Sequence, residues 1–370
     1  MAYSGKITIS GQQNNFVSAF SEFIRYICGD TATAGRDWQI IFTELDDSAN
    51  NFQYIEYSGT LAVNENNVWI NLPTAFVTEY TFVRGATTLV ENTDYTLDWK
   101  LGKIKFLTGT PPYNVSYSYK FKRFRVVVKN TGLSGTENIY AGFLMLSTGY
   151  DKANILVRCY RGYEAGVTPF FDTTFGNPIP SNYYHPMFGF WTGAIDMWIF
   201  SNKQRIILVA RNNTYYTFCY VGNIFRLCPP KEYPQPLWVQ TDLWGLTDLN
   251  DTQFYDSTDG YRRFLASPRT NPGYMINFAN QWSANYAVVP TQTDTGNWIT
   301  VAYIDGYDKV LFPLYFICDG YLVGMPDGFY YAPGLSLSAE SEITVGTDTY
   351  ILFPNCWRTG YADWIAIKEA

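Results

Sequence analysis

Charge is what this 370-residue chain has least of. Charged residues make up 16% of it, against roughly a quarter in ordinary soluble domains, so solvated ionic surface is scarce. The 26 Lys and Arg stand against 33 Asp and Glu, a formal charge of −7, and that balance offers phosphate backbones and anionic headgroups no general attraction. Nucleic acid is not expected as a partner. A single histidine, His185, excludes a multi-histidine metal centre and has no nucleophile or orienting group at informative spacing, which points to a loop or packing role. Cys28, Cys159, Cys219, Cys228, Cys318 and Cys356 form no Cys-x-x-Cys pair; buried, reduced thiols are the default.

Other absences narrow the classes further. No apolar run approaches the roughly 18 residues of a membrane span, and MAYSGKITIS lacks the parts of a secretory signal. Synthesis in a cytoplasm without a membrane span is expected, which leaves the sequons at Asn114, Asn212 and Asn250 without weight. Phosphate-cradling Gly-x-x-x-x-Gly-Lys loops, dinucleotide fingerprints and Gly-x-Ser-x-Gly elbows do not occur. No cofactor, no metal and no enzymatic activity is expected.

Aromatic rings are abundant, with 31 Tyr, 26 Phe and 11 Trp, and such residues suit strands and intersubunit contacts. One helix is legible, where Phe16, Ala19, Phe20, Phe23, Ile24 and Ile27 recur at three- and four-residue spacing before Cys28-Gly29. From Trp38 the period changes to two. TTLV, DYTLDW, KIKFL and a strand from Tyr113, separated by turns at Lys100-Leu101-Gly102 and Gly109-Thr110-Pro111-Pro112, read as a compact antiparallel module. In the last of these strands Tyr113, Val115, Tyr117, Tyr119 and Phe121 share a face. The apolar parity then slips at Arg123-Phe124-Arg125, which marks a bulge or a crossover into a larger sheet near residue 124. The basic cluster Lys120, Lys122, Arg123, Arg125 and Lys129 alternates between two faces, so it reads as a strand edge rather than an anion site.

Farther on, MWIFS and RIILVAR flank Asn202-Lys203-Gln204, and RIILVAR meets TYYTFCYVG across Asn212-Asn213, as hairpins do. Ile206 to Ala210 is apolar on both parities, as in a strand buried on both faces, which implies two packed layers. SEITV and TYILF flank Gly346-Thr347-Asp348, and WIAIK is placed as a closing strand. The fold class expected is mainly β, an antiparallel β-sandwich-like core with one N-terminal helix and a small inserted β module. Its divisions are 1–50 for the helix and first strand, 51–124 for the module, and 125–370 for the main domain.

Trp238 to Gln281 is rich in Asp, Thr, Gly and Asn, and long loops of this kind contact partners. Asp248, Asp251, Asp256 and Asp259 supply hard oxygens but depart from the EF-hand spacing and lack its terminal Glu, which favours a solvated turn over calcium. A pair of catalytic carboxylates, as in glycan hydrolysis, remains open because no spacing in sequence reveals it.

Two passages carry a family resemblance. FSNKQRIILVARNNTYYTFCYVG with PPKEYPQPLWV, and LFPLYFICDGYLVGMPDGFYYAPG with AESEITVGTDTYILFPNCWRTGYADWIAIK, including Asp327-Gly328 and Asn355 to Gly360, resemble virion structural proteins of tailed bacteriophages over somewhat under half the chain. TTLVENTDYTLDWKLGKIKF is similar to small β modules of phage tail and baseplate proteins. After Leu237 the chain departs from the family pattern, with Trp238-Val239-Gln240 in place of a Gly-rich continuation.

The resemblance implies a non-enzymatic tail or baseplate component of a virion, made in the host cytoplasm and held by contacts with other virion proteins and with copies of itself. An adsorption protein that binds host-surface glycan and a glycan hydrolase are the alternatives. The stiff segment Tyr233, Pro234, Pro236, Leu237 and Trp238, together with Asp256 and Tyr261 in the polar loop, are the expected interface residues.

Overall fold

A computed structural model of the chain describes residues 3–9, 15–29, 38–45, 55–74, 77–121, 124–132, 135–136, 139–149, 152–160, 185–191, 195–212, 215–222, 224–227, 275–276, 282–283, 286–289, 310–318, 321–333, 337–354 and 363–369. The protein is mainly β, with antiparallel sheets and, among the described residues, one helix. That helix runs Asn15–Cys28. Its apolar stripe explains its place, since Ala19, Phe20, Phe23, Ile24 and Ile27 are all buried. Gly29 ends it at φ 69° and donates its N–H to the Arg25 carbonyl at 2.8 Å, the left-handed C′ position that glycine takes without a Cβ penalty.

The centre of the molecule is a four-stranded sheet in the order Tyr3–Ile9, Ile195–Ser201, Arg205–Asn212, Tyr215–Gly222. Its strands alternate two apolar sets. Ile195, Met197, Ile199, Ile206, Leu208, Ala210, Cys219 and Val221 pack with the helix and with Val126, Val128, Ile139, Ala141 and Phe143. Those last residues belong to a five-stranded sheet ordered His185–Trp191, Lys152–Tyr160, Ile139–Gly149, Phe124–Asn130, Gln39–Leu45. The opposite set, Trp198, Phe200, Ile207, Val209, Tyr216 and Tyr220, packs on Leu314 and on Phe329, Tyr331, Ile351, Phe353, Ile365 and Ile367 of a C-terminal sheet. Burial on both faces therefore produces three layers where the pattern of Ile206 to Ala210 suggests two, because the central sheet is covered from both sides.

Several turns fall where the sequence puts them. Ser201 pairs with Ile206 and Asn212 with Tyr215, so Asn212 itself lies in the strand rather than in the turn. Val345 pairs with Asp348 around Gly346 at φ 65°. Asp363–Lys368 is the last strand and joins the sheet of Glu342–Val345 and Asp348–Pro354, as the sequence suggests. The C-terminal sheet runs Phe312–Pro313, Phe329–Pro333, Asp363–Lys368, Asp348–Pro354, Glu342–Val345, so the last strand is the middle one. Its Ile365, Ala366 and Ile367 are fully buried, which a run apolar on both parities permits.

Residues 55–121 form two small sheets around a core of their own, which includes Val63, Phe82, Tyr95, Ile104, Phe106, Val115 and Tyr119. One sheet is ordered Ile55–Val63, Tyr113–Phe121, Val77–Arg84, Thr87–Thr88, and the other Trp69–Asn71, Lys103–Phe106, Tyr95–Asp98. Of the four phrases that read as a compact antiparallel module, the first and last lie in one sheet and the middle two in the other. The slip of apolar parity coincides with the passage from Tyr113–Phe121 in the small sheet to Phe124–Asn130 in the five-stranded one. Val126, Val127 and Val128 are all buried there.

Candidate functional site

The sequence-predicted interface residues Tyr233, Pro234, Pro236, Leu237, Trp238, Asp256 and Tyr261 lie outside the described residues, as do Asp248, Asp251, Asp259 and the Asn355 to Gly360 passage. His185 begins a strand, opposite Val157. Lys120 pairs with Glu79 at 2.6 Å, and Lys129 lies over the Tyr140 ring, so these two members of the basic cluster are occupied within the fold. Cys219 is buried in the core, and Cys28 packs against it.

What the structure brings together instead are polar junctions between layers. Residues 205, 207, 209 and 211 share a face of one central strand. Its two arginines therefore bracket the buried pair Ile207 and Val209 and grip the C-terminal layer at both ends. At one end Arg205, 3% exposed, donates from Nε to Asp327 at 3.2 Å and from Nη1 to the Phe200 carbonyl at 2.6 Å. Asp327 also accepts from Asn202 at 2.6 Å, and its N–H donates to the Tyr220 hydroxyl at 3.2 Å. The buried Trp38 indole adds a bond to the Asn202 carbonyl at 3.0 Å. Gly328, at φ 67°, is required here, since a Cβ would stand 2.5 Å from Arg205 Nη2. The Asp327-Gly328 corner is where the chain leaves the Tyr321–Pro326 strand of one sheet for the Phe329–Pro333 strand of another.

At the other end Arg211 joins Asp196 to Glu340 and lies over the Trp198 and Tyr216 rings. The Tyr216 hydroxyl donates to Glu340 at 2.6 Å. Burial first, then the bond to Glu340, pushes the Tyr216 phenol up to about 12.

A third junction ties the helix to the small module. Arg25, 5% exposed, donates to the carbonyls of Leu101 at 2.6 Å, Leu72 at 2.7 Å and Gly102 at 3.0 Å, and pairs with Glu22. Gly102 sits at φ 60°, and a Cβ on it would come 1.8 Å from the Thr74 carbonyl oxygen, so backbone and guanidinium can meet only at glycine.

A fourth polar cluster lies at one end of the module. Arg84 donates to the Thr108 carbonyl at 2.6 Å and lies over the Tyr113 ring, while Asp94 accepts from the Thr108 hydroxyl at 2.7 Å and the Val90 N–H at 3.0 Å. The Thr108 bond, then the Val90 bond, holds the Asp94 carboxyl below the usual range.

In each of these arrangements the arginine faces a carboxylate or a backbone carbonyl. Paired-acid hydrolysis needs one carboxyl that keeps its proton. Burial first, then Glu342, raises the Glu369 pKa. No group of three or more His, Cys, Asp or Glu suited to a metal occurs among the described residues, and none of the described helices is long and apolar enough to cross a membrane.

Sequence reasoning missed the junction residues. Their signal was available in part, since Arg205 and Arg211 occupy the same parity as Ile207 and Val209, but their partners lie 122 and 129 positions away. Asp327→Ala leaves the buried Arg205 without its carboxylate and is expected to cost about 3 kcal/mol, read as a lower urea midpoint, with Asp327→Asn in between. A variant within about 1 kcal/mol of the parent overturns that role. No protein-family model matches the chain, and no curated protein matches it.

Proposed function

We propose that the chain is a structural component of a tailed-phage virion, most naturally in the tail or baseplate. In this reading it contacts copies of itself and other virion proteins in a symmetric assembly. The observation that carries the reading is where the few charges go. Charged residues are 16% of the chain, and Arg25, Arg84, Arg205, Arg211, Asp94, Asp196, Asp327 and Glu340 are all engaged within the fold. Against that scarcity of charge, Val68, Val90, Phe225, Leu227 and Leu322 stand exposed among the described residues. A part held by large shape-matched contacts has this distribution. The phage-like passages at 200–239 and 311–368 point the same way.

Three outcomes with the full-length chain discriminate the readings. Self-association, together with the subunit's density in a reconstructed tail or baseplate, supports a structural part. A monodisperse monomer whose melting temperature rises with a surface glycan supports an adsorption protein instead. Glycan turnover abolished by one carboxylate substitution supports a hydrolase and overturns the structural reading.

A further inference from the structure

Among the described residues the longest strand at the edge of a sheet is Ile55–Val63. Natural edges of this length are guarded by lysines, prolines, bulges or inward charges, because a row of unpaired N–H and C=O groups recruits other strands. This one has none of those devices. Residues 55–63 contain no Lys, Arg or Pro. Their register with Tyr113–Phe121 runs through nine successive pairs without a shift, whereas the strand on the other side of Tyr113–Phe121 is broken between Thr78 and Thr81, with Glu79 at φ 47°. The outward side chains Glu56, Ser58, Thr60 and Ala62 are all exposed and, apart from Glu56, short. Their neighbours Asn114, Ser116 and Ser118 on the paired strand are exposed too, while Glu56 lies opposite Lys120, which is held by Glu79.

We propose that the Ile55–Val63 strand pairs antiparallel with the same strand of a second copy of this chain, about a two-fold axis at Gly59. This rests on the assembly reading above and names one of its contacts. The strand is complementary to itself in that register. Opposite residues in an antiparallel pair must share a face, and centring on Gly59 sets Tyr57 against Leu61, Ser58 against Thr60, and Glu56 against Ala62. Apolar meets apolar, hydroxyl meets hydroxyl, and the one charge faces no like charge, which would be destabilising. Centres at Ser58 or Thr60 shorten the ladder, and only Gly59 uses the strand's full length.

The axis position is suited to glycine. A Cβ at Gly59 would come 2.6 Å from the Tyr117 hydroxyl oxygen, so the Tyr117 ring lies across the bare backbone, and the two half-buried Tyr117 rings meet beside the axis. Tyr117 stacks on Tyr119, and Tyr119 on Tyr57, at centroid distances of 5.6 and 5.4 Å. Pairing therefore extends an existing aromatic row and closes a backbone edge in a closed, isologous contact.

The test uses the full-length chain in sedimentation at about 100 µM, since association is concentration-dependent. The parent is expected to form dimers or even-numbered oligomers. Ser58→Lys with Thr60→Lys sets four lysines around the axis and is expected to raise the dissociation constant at least about tenfold, with the melting temperature of the dissociated chain unchanged. Ser58→Cys with Thr60→Cys is expected to yield a disulfide-linked dimer on oxidation, while Ser58→Cys with Ala62→Cys, which are not opposite in this register, is not.

A parent that is monomeric at that concentration overturns the inference, and so does a monomer that binds only an extended segment of another protein at this edge. Oligomers untouched by the lysines sink the edge contact and leave the structural reading standing. A lysine-sensitive dimer that hydrolyses glycan does the reverse.

Discussion

Replacing Arg25 by methionine is expected to lower the unfolding free energy by about 3 to 5 kcal/mol. The guanidinium is 5% exposed and satisfies three backbone carbonyls of the small module from a helix of the main core. The Gly102 carbonyl keeps a second donor, the Leu72 N–H at 2.8 Å. Those of Leu72 and Leu101 lose their Arg25 donor, and a buried carbonyl left unsatisfied costs about 1 to 3 kcal/mol. Methionine fills the stem volume, so the loss reports hydrogen bonding rather than a cavity. Arg25→Lys keeps the charge but replaces a planar fork with a point donor, and an intermediate value is expected. The loss is also local in origin. Hydrogen exchange in Trp69–Asn71 and Lys103–Phe106 should accelerate before exchange in Arg205–Asn212, because the module loses its tie to the helix while the central sheet keeps both covers. A denaturation midpoint unmoved by Arg25→Met would show that the module is held by its apolar contacts alone, through Tyr57, Trp99 and Leu101.

How much of this was legible depends on whether the cause is local. The helix was readable to within a residue, because a stripe of five buried side chains and a terminal glycine are properties of adjacent positions. So were the hairpins at 201–206 and 345–348, where turn chemistry and alternating strands lie side by side. The strand Tyr3–Ile9 was not anticipated, although Lys6-Ile7-Thr8-Ile9 alternates; its partner Ile195–Ser201 lies nearly two hundred positions on. The third layer was invisible for the same reason. Ile206 to Ala210 declares that both faces are covered, but not by what. The arginine junctions were the least legible, since an arginine in an apolar run looks the same whether it snorkels to solvent or reaches a carboxylate on a distant turn. The edge of Ile55–Val63 is of a mixed kind. Its lack of guarding residues is local and readable, while its position outermost in a sheet is decided by pairing with residues 113–121.

Alkali is expected to unfold the protein through its buried tyrosines. Burial is the first cause that pushes the phenols of Tyr95, Tyr119, Tyr216 and Tyr350 up to about 12 from the ordinary 10.0, and it raises Tyr57 and Tyr220 further still. The sign follows from proton counts. Below about pH 10 both folded and unfolded chains hold these protons, and stability does not respond to pH through them. Above it the unfolded chain ionises while the folded chain keeps its protons, so the unfolding free energy falls as pH rises toward 12.

For Tyr119, 2% exposed, the shift amounts to about 2 to 3 kcal/mol lost across that window, and the others add to it. Urea midpoints should be flat between about pH 7 and 9 and then drop steeply by about pH 11. A large part of the phenolate absorbance should appear in one step with the loss of the sheet signal. Tyr57→Phe supplies the internal control. The Tyr57 hydroxyl is buried with no hydrogen-bond partner among the described residues, so removing it costs nothing at neutral pH and makes the alkaline fall shallower. A smooth phenolate titration centred near 10 with unchanged midpoints would mean that these rings are open to solvent, and the packing described for them would be wrong.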